Sequence, residues 1–257
     1  MSLDAILKSR GLISMGEYAA LVNRKGFIST GYPELDEQIH PVTEECPNGG
    51  GIPTGCITEI FGLSATGKSR FIKDICMRPE LRALYIDTEN SLAADELNYM
   101  LEHCDVISEN LLENIWGVTD DVLDENLYDI IVVDSLAACT TNAEIDEDNG
   151  VSMSSNMSKA KLTSVWLRKM IAKLRQSNTA FVFVNHKKIT PGIVKAVVTP
   201  GGEAVKFYSS LRLDFSAPSS KLKGTTQGVE VKIAKSRFSE KNAKVNVKMN
   251  LDPMKES

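Results

Sequence analysis

The chain is short of several things, and each shortage excludes something. No run of 18 apolar residues occurs among its 257, so no transmembrane helix and no membrane partner are expected. The first residues, MSLDAILKSRGLISMGEYAALVNRKG, hold no apolar block long enough for a secretory signal. The five cysteines (Cys46, Cys56, Cys76, Cys104 and Cys139) are scattered, odd in number and without C-x-x-C spacing. That argues for a reducing, cytoplasmic compartment and against a zinc site. The three histidines (His40, His103 and His186) stand too far apart for a local metal motif. No internal repeat and no low-complexity tract interrupts the chain. Positive charge is scarce in the first half: residues 1–150 hold 9 Lys+Arg against 28 Asp+Glu, a balance of −19. Residues 151–257 hold 20 against 6, a balance of +14, so the net charge of −5 hides a strong polarity. A basic second half suits a polyanion, and opposite halves suit head-to-tail self-association.

What is present is dominated by residues 62–69, GLSATGKS, which fit G-x-x-x-x-G-K-[ST]. Gly62 and Gly67 let the backbone of Leu63, Ser64, Ala65 and Thr66 curl so that N–H groups point inward at phosphate oxygens. Lys68 places a cation against the β and γ phosphates, and the Ser69 hydroxyl is a Mg²⁺ ligand. From Arg70 to Met77 the chain can continue as a helix whose N-terminus favours an anion. Residues 56–61, CITEIF, read as the strand that feeds the loop.

Around this loop, strand and helix patterns alternate. Strands are expected at 56–61, 83–88, 114–118, 129–134 and 180–185, and a helix at 158–176 whose Leu162, Trp166, Met170 and Leu174 form one buried stripe. Strands apolar throughout imply an α/β fold with a mainly parallel sheet covered on both faces. After residue 211 the pattern turns to β runs, and alternation in 229–235 and 244–251 predicts antiparallel strands at one edge. Ile28–Gly31 reads as an extended arm leading into a turn and helix. Two segments, 144–158 and 187–202, fit no regular element; loops of that length are usually functional or disordered.

Several residues carry candidate chemistry. Asp134 ends a buried strand, the expected place for the second Mg²⁺-side carboxylate. Glu89, or Asp87 two residues earlier, is the candidate to orient or deprotonate a water; spacing alone does not choose between them. His186 follows FVFVN at a strand end. A lone histidine there is commonly structural, but beside a basic loop it can contact a γ-phosphate and report nucleotide state. Lys235 and Arg237 lie two apart, so both point the same way. They are either cations that blunt an edge strand or in-trans fingers for a neighbour's γ-phosphate.

The blocks ISTGYPELD, GGGIPTGCITEIFGLSATGKS, YIDTENSL, DIIVVDSLAA, AEIDEDNG, LRKMIAKLRQSNTAFVFVNH, TPGGEAVKFYSSLRLDF and VKIAKSR occur in this order from Ile28 to Arg237, about four-fifths of the chain. In these blocks the chain resembles the RecA-type recombinases, the ATP-dependent strand-exchange proteins that include bacterial RecA and phage UvsX. The resemblance implies a RecA-type P-loop core over 28–257 and an N-terminal arm at 1–27, a candidate subunit-docking segment. It makes residues 62–69, with Arg70, the phosphate loop, Asp134 the metal-side carboxylate, Glu89 the water-activating glutamate and His186 the γ-phosphate sensor. It makes Lys235 and Arg237 the pair that reaches a neighbour's ATP. It also implies two DNA-binding loops, at about 144–158 and 187–202. The second loop brings Lys187, Lys188, Ile193, Val194 and Lys195, then Gly201, Gly202 and Lys206 behind it. The sensor strand is implied to lie between the phosphate-loop strand and the Asp134 strand.

The implied activity is DNA-dependent hydrolysis of ATP to ADP and phosphate, with Mg²⁺, by a head-to-tail helical filament that pairs single-stranded DNA with homologous duplex DNA. A single-strand-binding protein and a loading factor are implied as further partners. The alternative is a RecA-core mediator or annealing ATPase without strand exchange of its own. Departures stand beside the match. The matched blocks stop before the C-terminal domain of RecA. The sensor is His where bacterial RecA has Gln; UvsX-like proteins carry N-H, which suits a phage source acting in the host cytoplasm. The centre of the second loop has Ile193, Val194 and Lys195 where RecA has an apolar and aromatic stretch. No tyrosine follows Glu89 to mark an adenine site.

Overall fold

The computed structural model describes residues 26–44, 46–47, 49–145, 153–189, 197–217, 226–239 and 242–250, together with Ala5, Ser9, Ser14 and Gly16. Most of the expected arm at 1–27 therefore lies outside the described residues. A short pair, β1 (Phe27–Ile28) with β2 (Ile52–Pro53), is antiparallel and frames helix α1 (Pro33–Ile39). The turn into α1 is locked by Asp36, 2% exposed, whose carboxylate accepts from the Ser29 and Thr30 hydroxyls at 2.6 Å each and from the Thr30 N–H. Burial raises the Asp36 carboxyl above its ordinary value, against those hydrogen bonds.

The chain then builds one sheet of eight strands. In chain order the elements are β3 (Ile57–Gly62), α2 (Lys68–Cys76), β4 (Ala83–Asp87), α3 (Ala94–Leu101), β5 (Asp105–Ser108), α4 (Leu112–Asp124), β6 (Ile130–Asp134), α5 (Asn142–Ile145) and α6 (Met153–Gln176). There follow β7 (Ala180–His186), β8 (Lys188–Ile189), β9 (Val197–Val198), α7 (Gly202–Tyr208), β10 (Leu211–Ser216), β11 (Thr226–Ser236) and β12 (Lys244–Asn250). Across the sheet the order is β5-β4-β6-β7-β3-β10-β11-β12. The pairs from β5 to β10 are parallel; β10–β11 and β11–β12 are antiparallel. The expected parallel core with antiparallel strands at its C-terminal edge is thus the observed architecture.

Alternation along each strand feeds two cores. Tyr85, Val132, Val182 and Val184 join Phe71, Ile72 and Ile75 of α2 and Leu35 of α1 on one face. Leu84, Ile86, Val133, Phe181 and Phe183 join Leu112 and Ile115 of α4 and Trp166, Met170 and Leu174 of α6 on the other. The α6 stripe read from spacing is the buried one: Trp166 and Met170 are 1% exposed and Leu174 0%. Each such full burial of a core side chain is worth about 1.5–3 kcal/mol.

Two expectations need correction. The segment 114–118 is not a strand but part of α4; the outer strand is β5. NIWGV is rich in β-formers, yet its wider window buries Leu112, Ile115, Thr119 and Leu123 at helical spacing, and tertiary packing overrides local propensity. Gly117 meets nothing within 4 Å, so the helix tolerates it on an open face. The two segments expected to fit no regular element contain some: within 144–158, α5 runs to Ile145 and α6 already begins at Met153, and within 187–202, β8 and β9 pair antiparallel with Lys188 opposite Val198.

Candidate nucleotide site and its neighbouring groove

In a parallel sheet the C-terminal strand ends share one edge, and here that edge gathers the candidate residues. Gly62 ends β3 and lies level with His186 at the end of β7. Asp134 ends β6, level with Val184 of β7 and Asp87 of β4. Strand β7, which carries His186, lies between β3 and β6. Glu89 leaves β4 two residues after Asp87, whose Oδ1 accepts from the Glu89 N–H at 3.1 Å.

The candidate phosphate loop, residues 62–69, is a built cradle. A Cβ on Gly62 would stand 2.3 Å from the Phe215 carbonyl oxygen, so no larger residue fits at that turn. Gly67 has φ +86° and caps α2 from the left-handed region, which a glycine enters without cost. Leu63, Ser64 and Ala65 are exposed at the tip, while the Thr66 hydroxyl donates to Leu63 O at 2.9 Å. The Lys68 ammonium, 5% exposed, lies within the loop and donates to Leu63 O at 2.7 Å. Burial lowers its proton affinity, opposed by the charges of Asp134 and Glu89. Arg70, two residues on, is engaged with Asp74 one turn further along at 2.8 Å.

Beside the loop stand hard oxygen donors. Asp134, 5% exposed, is pushed above the usual carboxylate value by burial, against hydrogen bonds from Ser69 and Tyr85. The Tyr85 hydroxyl donates to Asp134 Oδ2 at 2.6 Å. The Asp134–Ser135 peptide is cis. Among the described residues no cluster of three or more His, Cys, Asp or Glu is placed to hold a metal ion. A hydroxyl and a carboxylate that already touch, facing an anion cradle, fit Mg²⁺, which keeps most of its waters and takes one or two protein oxygens.

Glu89 and His186 come together. His186 Nε2 lies 3.0 Å from Glu89 Oε1, and the Ser135 hydroxyl donates to the same oxygen at 2.5 Å. Burial works to raise the Glu89 carboxyl, but the bonds from Ser135 and His186, helped by the Lys68 charge, hold it below its ordinary value. Glu89 Oε2 accepts from no side chain among the described residues. Asp87, the alternative left open by spacing, accepts instead from the Glu89 and Ser91 N–H groups as a turn-former.

Lys235 and Arg237 are not at this edge. Lys235 pairs with Arg212, which pairs with Glu59, three residues before Gly62. At about 3.3 Å per residue, Lys235 stands roughly 10 Å toward the opposite edge of the sheet. Its ammonium donates to the Lys206 and Phe207 carbonyl oxygens at 2.7 and 2.8 Å, at the C-terminal end of α7. Arg237 lies beyond it, lining a cavity with Arg168, Phe207 and Tyr208.

The two candidate DNA segments flank one groove of about 680 Å³, lined by Thr140, Glu144 and Lys159 on one side and Lys188, Thr199 and Gly201 on the other. Residues 146–152 and 190–196 lie outside the described residues, and with them Ile193, Val194 and Lys195. Of the other cations, Lys188 is exposed. Lys187 is paired with Asp214 at 2.8 Å, its N–H donating to Gly62 O, and Lys206 is paired with Glu203 at 2.6 Å. The buried Thr199 hydroxyl has no partner among the described residues. Reading the chain by motif passed over Tyr85, Ser135 and Asn185. Tyr85 alone left a signal, since it lies two before Asp87 on the strand face that meets α2.

A family model described as the RecA N-terminal domain matches residues 41–252. The curated protein RecA of Thermus thermophilus is 34% identical over 195 residues, 72% of this chain and 56% of that protein. RecA of Legionella pneumophila is 33% identical over 183 residues (68% and 52%), and RecA of Aquifex aeolicus 32% over 173 residues (64% and 50%). The matched stretch spans about half the length of these relatives.

Proposed function

The chain belongs to the RecA family, and on that premise we propose that it is an ATP-dependent, single-stranded-DNA-binding recombinase. In this reading it assembles head to tail and promotes homologous pairing and strand exchange. The observation that carries it is the convergence of Lys68, Asp134, Glu89 and His186 at one sheet edge, with the groove between the two candidate DNA segments, of which 187–202 is basic, beginning where β6 and β7 end.

Each residue has a task. Backbone N–H groups of 62–69 and the Lys68 ammonium hold the β and γ phosphates. The Ser69 hydroxyl and Asp134, the latter mainly through water, would hold Mg²⁺, which when bound offsets charge on the β and γ oxygens. Glu89 is kept ionised by Ser135 and His186 through Oε1, leaving Oε2 to orient a water and take its proton. His186 Nε2, at hydrogen-bonding distance from Glu89, is the group free to turn to a γ-phosphate. Loss of that phosphate returns it to Glu89 and loosens the second segment. Lys235 and Arg237, remote from their own phosphate loop by register, suit a neighbour's nucleotide. Phosphate contacts in the groove make binding largely sequence-independent and salt-sensitive.

ATP turnover and electron microscopy with and without single-stranded DNA test this reading. Stimulation with long helical filaments supports it. Stimulation with short or annealing-only assemblies points instead to a mediator or annealing ATPase, and no DNA effect rejects both.

A further inference from the structure

Asn185 and His186 are neighbours on β7, so alternation sends their side chains to opposite faces of the sheet. His186 shares its face with Val184 and the phosphate loop's helix α2; Asn185 shares its face with Phe181 and Phe183, toward α6 and α7. An asparagine amide offers two donors and one acceptor carbonyl, and here all are used. Asn185 Nδ2 donates to Glu59 Oε1 at 3.0 Å and to Pro200 O at 2.9 Å, and Oδ1 accepts from the His186 N–H at 3.0 Å. Glu59 is fully buried, and its other oxygen accepts from Arg212 Nε at 2.5 Å. Arg212 in turn lies 4.4 Å over the Phe61 ring. A buried ion pair of this kind contributes little net stability, and its best-attested use is to fix register. It therefore acts as a rigid post set in the strand that feeds the phosphate loop.

Pro200 is the last residue before the glycines that end the basic segment 187–202. Gly201, at φ +88°, is seated so closely that a Cβ would meet Leu136 at 2.6 Å, and the Leu136 N–H donates to Val184 O of β7. We infer that Asn185 is a positioning residue that joins the nucleotide site to the exit of the basic segment 187–202. Its amide ties the His186 backbone, the Glu59 post and the Pro200 carbonyl into one joint. A shift of His186 toward a phosphate on one face of β7 thereby moves the segment's exit on the other. The inference rests on the functional reading above and adds the residue that carries the coupling.

The test uses Asn185→Ala, which removes the amide, and Asn185→Asp, which keeps the acceptor and removes the NH₂ donors. Affinity for a fluorescent single-stranded oligonucleotide is measured with and without a non-hydrolysable ATP analogue. Amide hydrogen exchange over residues 199–208 is followed in parallel without DNA. The parent should gain at least about tenfold in oligonucleotide affinity with analogue, with slower exchange at 199–208. Both variants should still bind the analogue, yet lose the gain and the exchange response. His186→Ala, at a half-exposed position, should lose the exchange response as well. Variants that keep the parent's gain, or that weaken oligonucleotide binding equally with and without analogue, overturn the inference. So does a parent whose exchange at 199–208 ignores the analogue. A parent that slows exchange but binds no oligonucleotide overturns the functional reading while supporting the joint.

Discussion

His186 and Glu89, 97 residues apart in the chain, meet at 3.0 Å through Nε2 and Oε1 at the ends of two different strand excursions. Because Ser135 donates to that same oxygen, Glu89 is oriented from two sides, and in the proposed reading its Oε2 takes the water. Glu89→Gln should therefore retain nucleotide and oligonucleotide binding while ATP turnover falls about 10²–10⁴-fold, the range of general-base catalysis. Steady-state turnover set against analogue binding checks this, and turnover equal to the parent's would remove Glu89 from the chemistry.

The same contact sets a pH dependence. Folding lowers the Glu89 carboxyl below its ordinary value of 4.5, so the stability it confers is complete above that value and is lost as pH falls through the depressed folded value. The melting temperature of the parent should exceed that of Glu89→Gln at neutral pH, and the gap should close as pH falls below the ordinary carboxyl value of 4.5. A gap that is constant or grows with acid contradicts the assignment of cause.

Arg237 is the cleaner probe of the neighbour's site, because Lys235 also caps the C-terminal end of α7 in its own chain. Arg237→Ala should lower DNA-stimulated turnover by about 10³-fold or more, as loss of an in-trans finger does. The residual rate of dilute, unassembled protein should not change. Kinetics at concentrations above and below assembly separate the two. Lys235→Ala should add a modest loss of melting temperature, about 0.3–1 kcal/mol of capping interaction.

Gly201→Ala should destabilise more than Gly202→Ala. The first places a methyl 2.6 Å from Leu136 and 2.9 Å from Val205 at φ +88°, while the second comes no nearer than 3.3 Å to Ala160. Overpacking of this kind costs about 1–3 kcal/mol, and a left-handed alanine adds about 1 kcal/mol to either variant. Thermal unfolding of both variants reads the order directly, and equal losses would mean that Leu136 gives way.

Much of this was legible in the chain. The loop GLSATGKS, the apolar strand runs before Asp134 and His186 and the alternation after residue 211 each carry a period or a spacing that admits few folds. What was not legible is contact between distant segments. Spacing left Glu89 and Asp87 equivalent; the family resemblance favoured Glu89, and the geometry separates them because Asp87 is spent on its own turn. Nothing in FVFVNH marks Asn185 as a bridge to Pro200, since the bridge depends on a loop that returns 15 residues later. The helix at 112–124 was hidden because Ile115, Trp116 and Val118 suit a strand locally, and only the burial of Leu112, Ile115, Thr119 and Leu123, with Val118 left exposed, reveals the period.

The central claim is that one copy holds the triphosphate and the next completes the site. It is tested most directly by ATP turnover per protomer as protein concentration is raised through assembly in the presence of single-stranded DNA. Turnover should climb steeply with concentration and be restored in part when Lys68→Ala and Arg237→Ala, each lacking DNA-stimulated turnover alone, are mixed, since half of the mixed interfaces pair an intact loop with an intact finger. Turnover per protomer that is flat with concentration, with no recovery on mixing, would contradict a shared site.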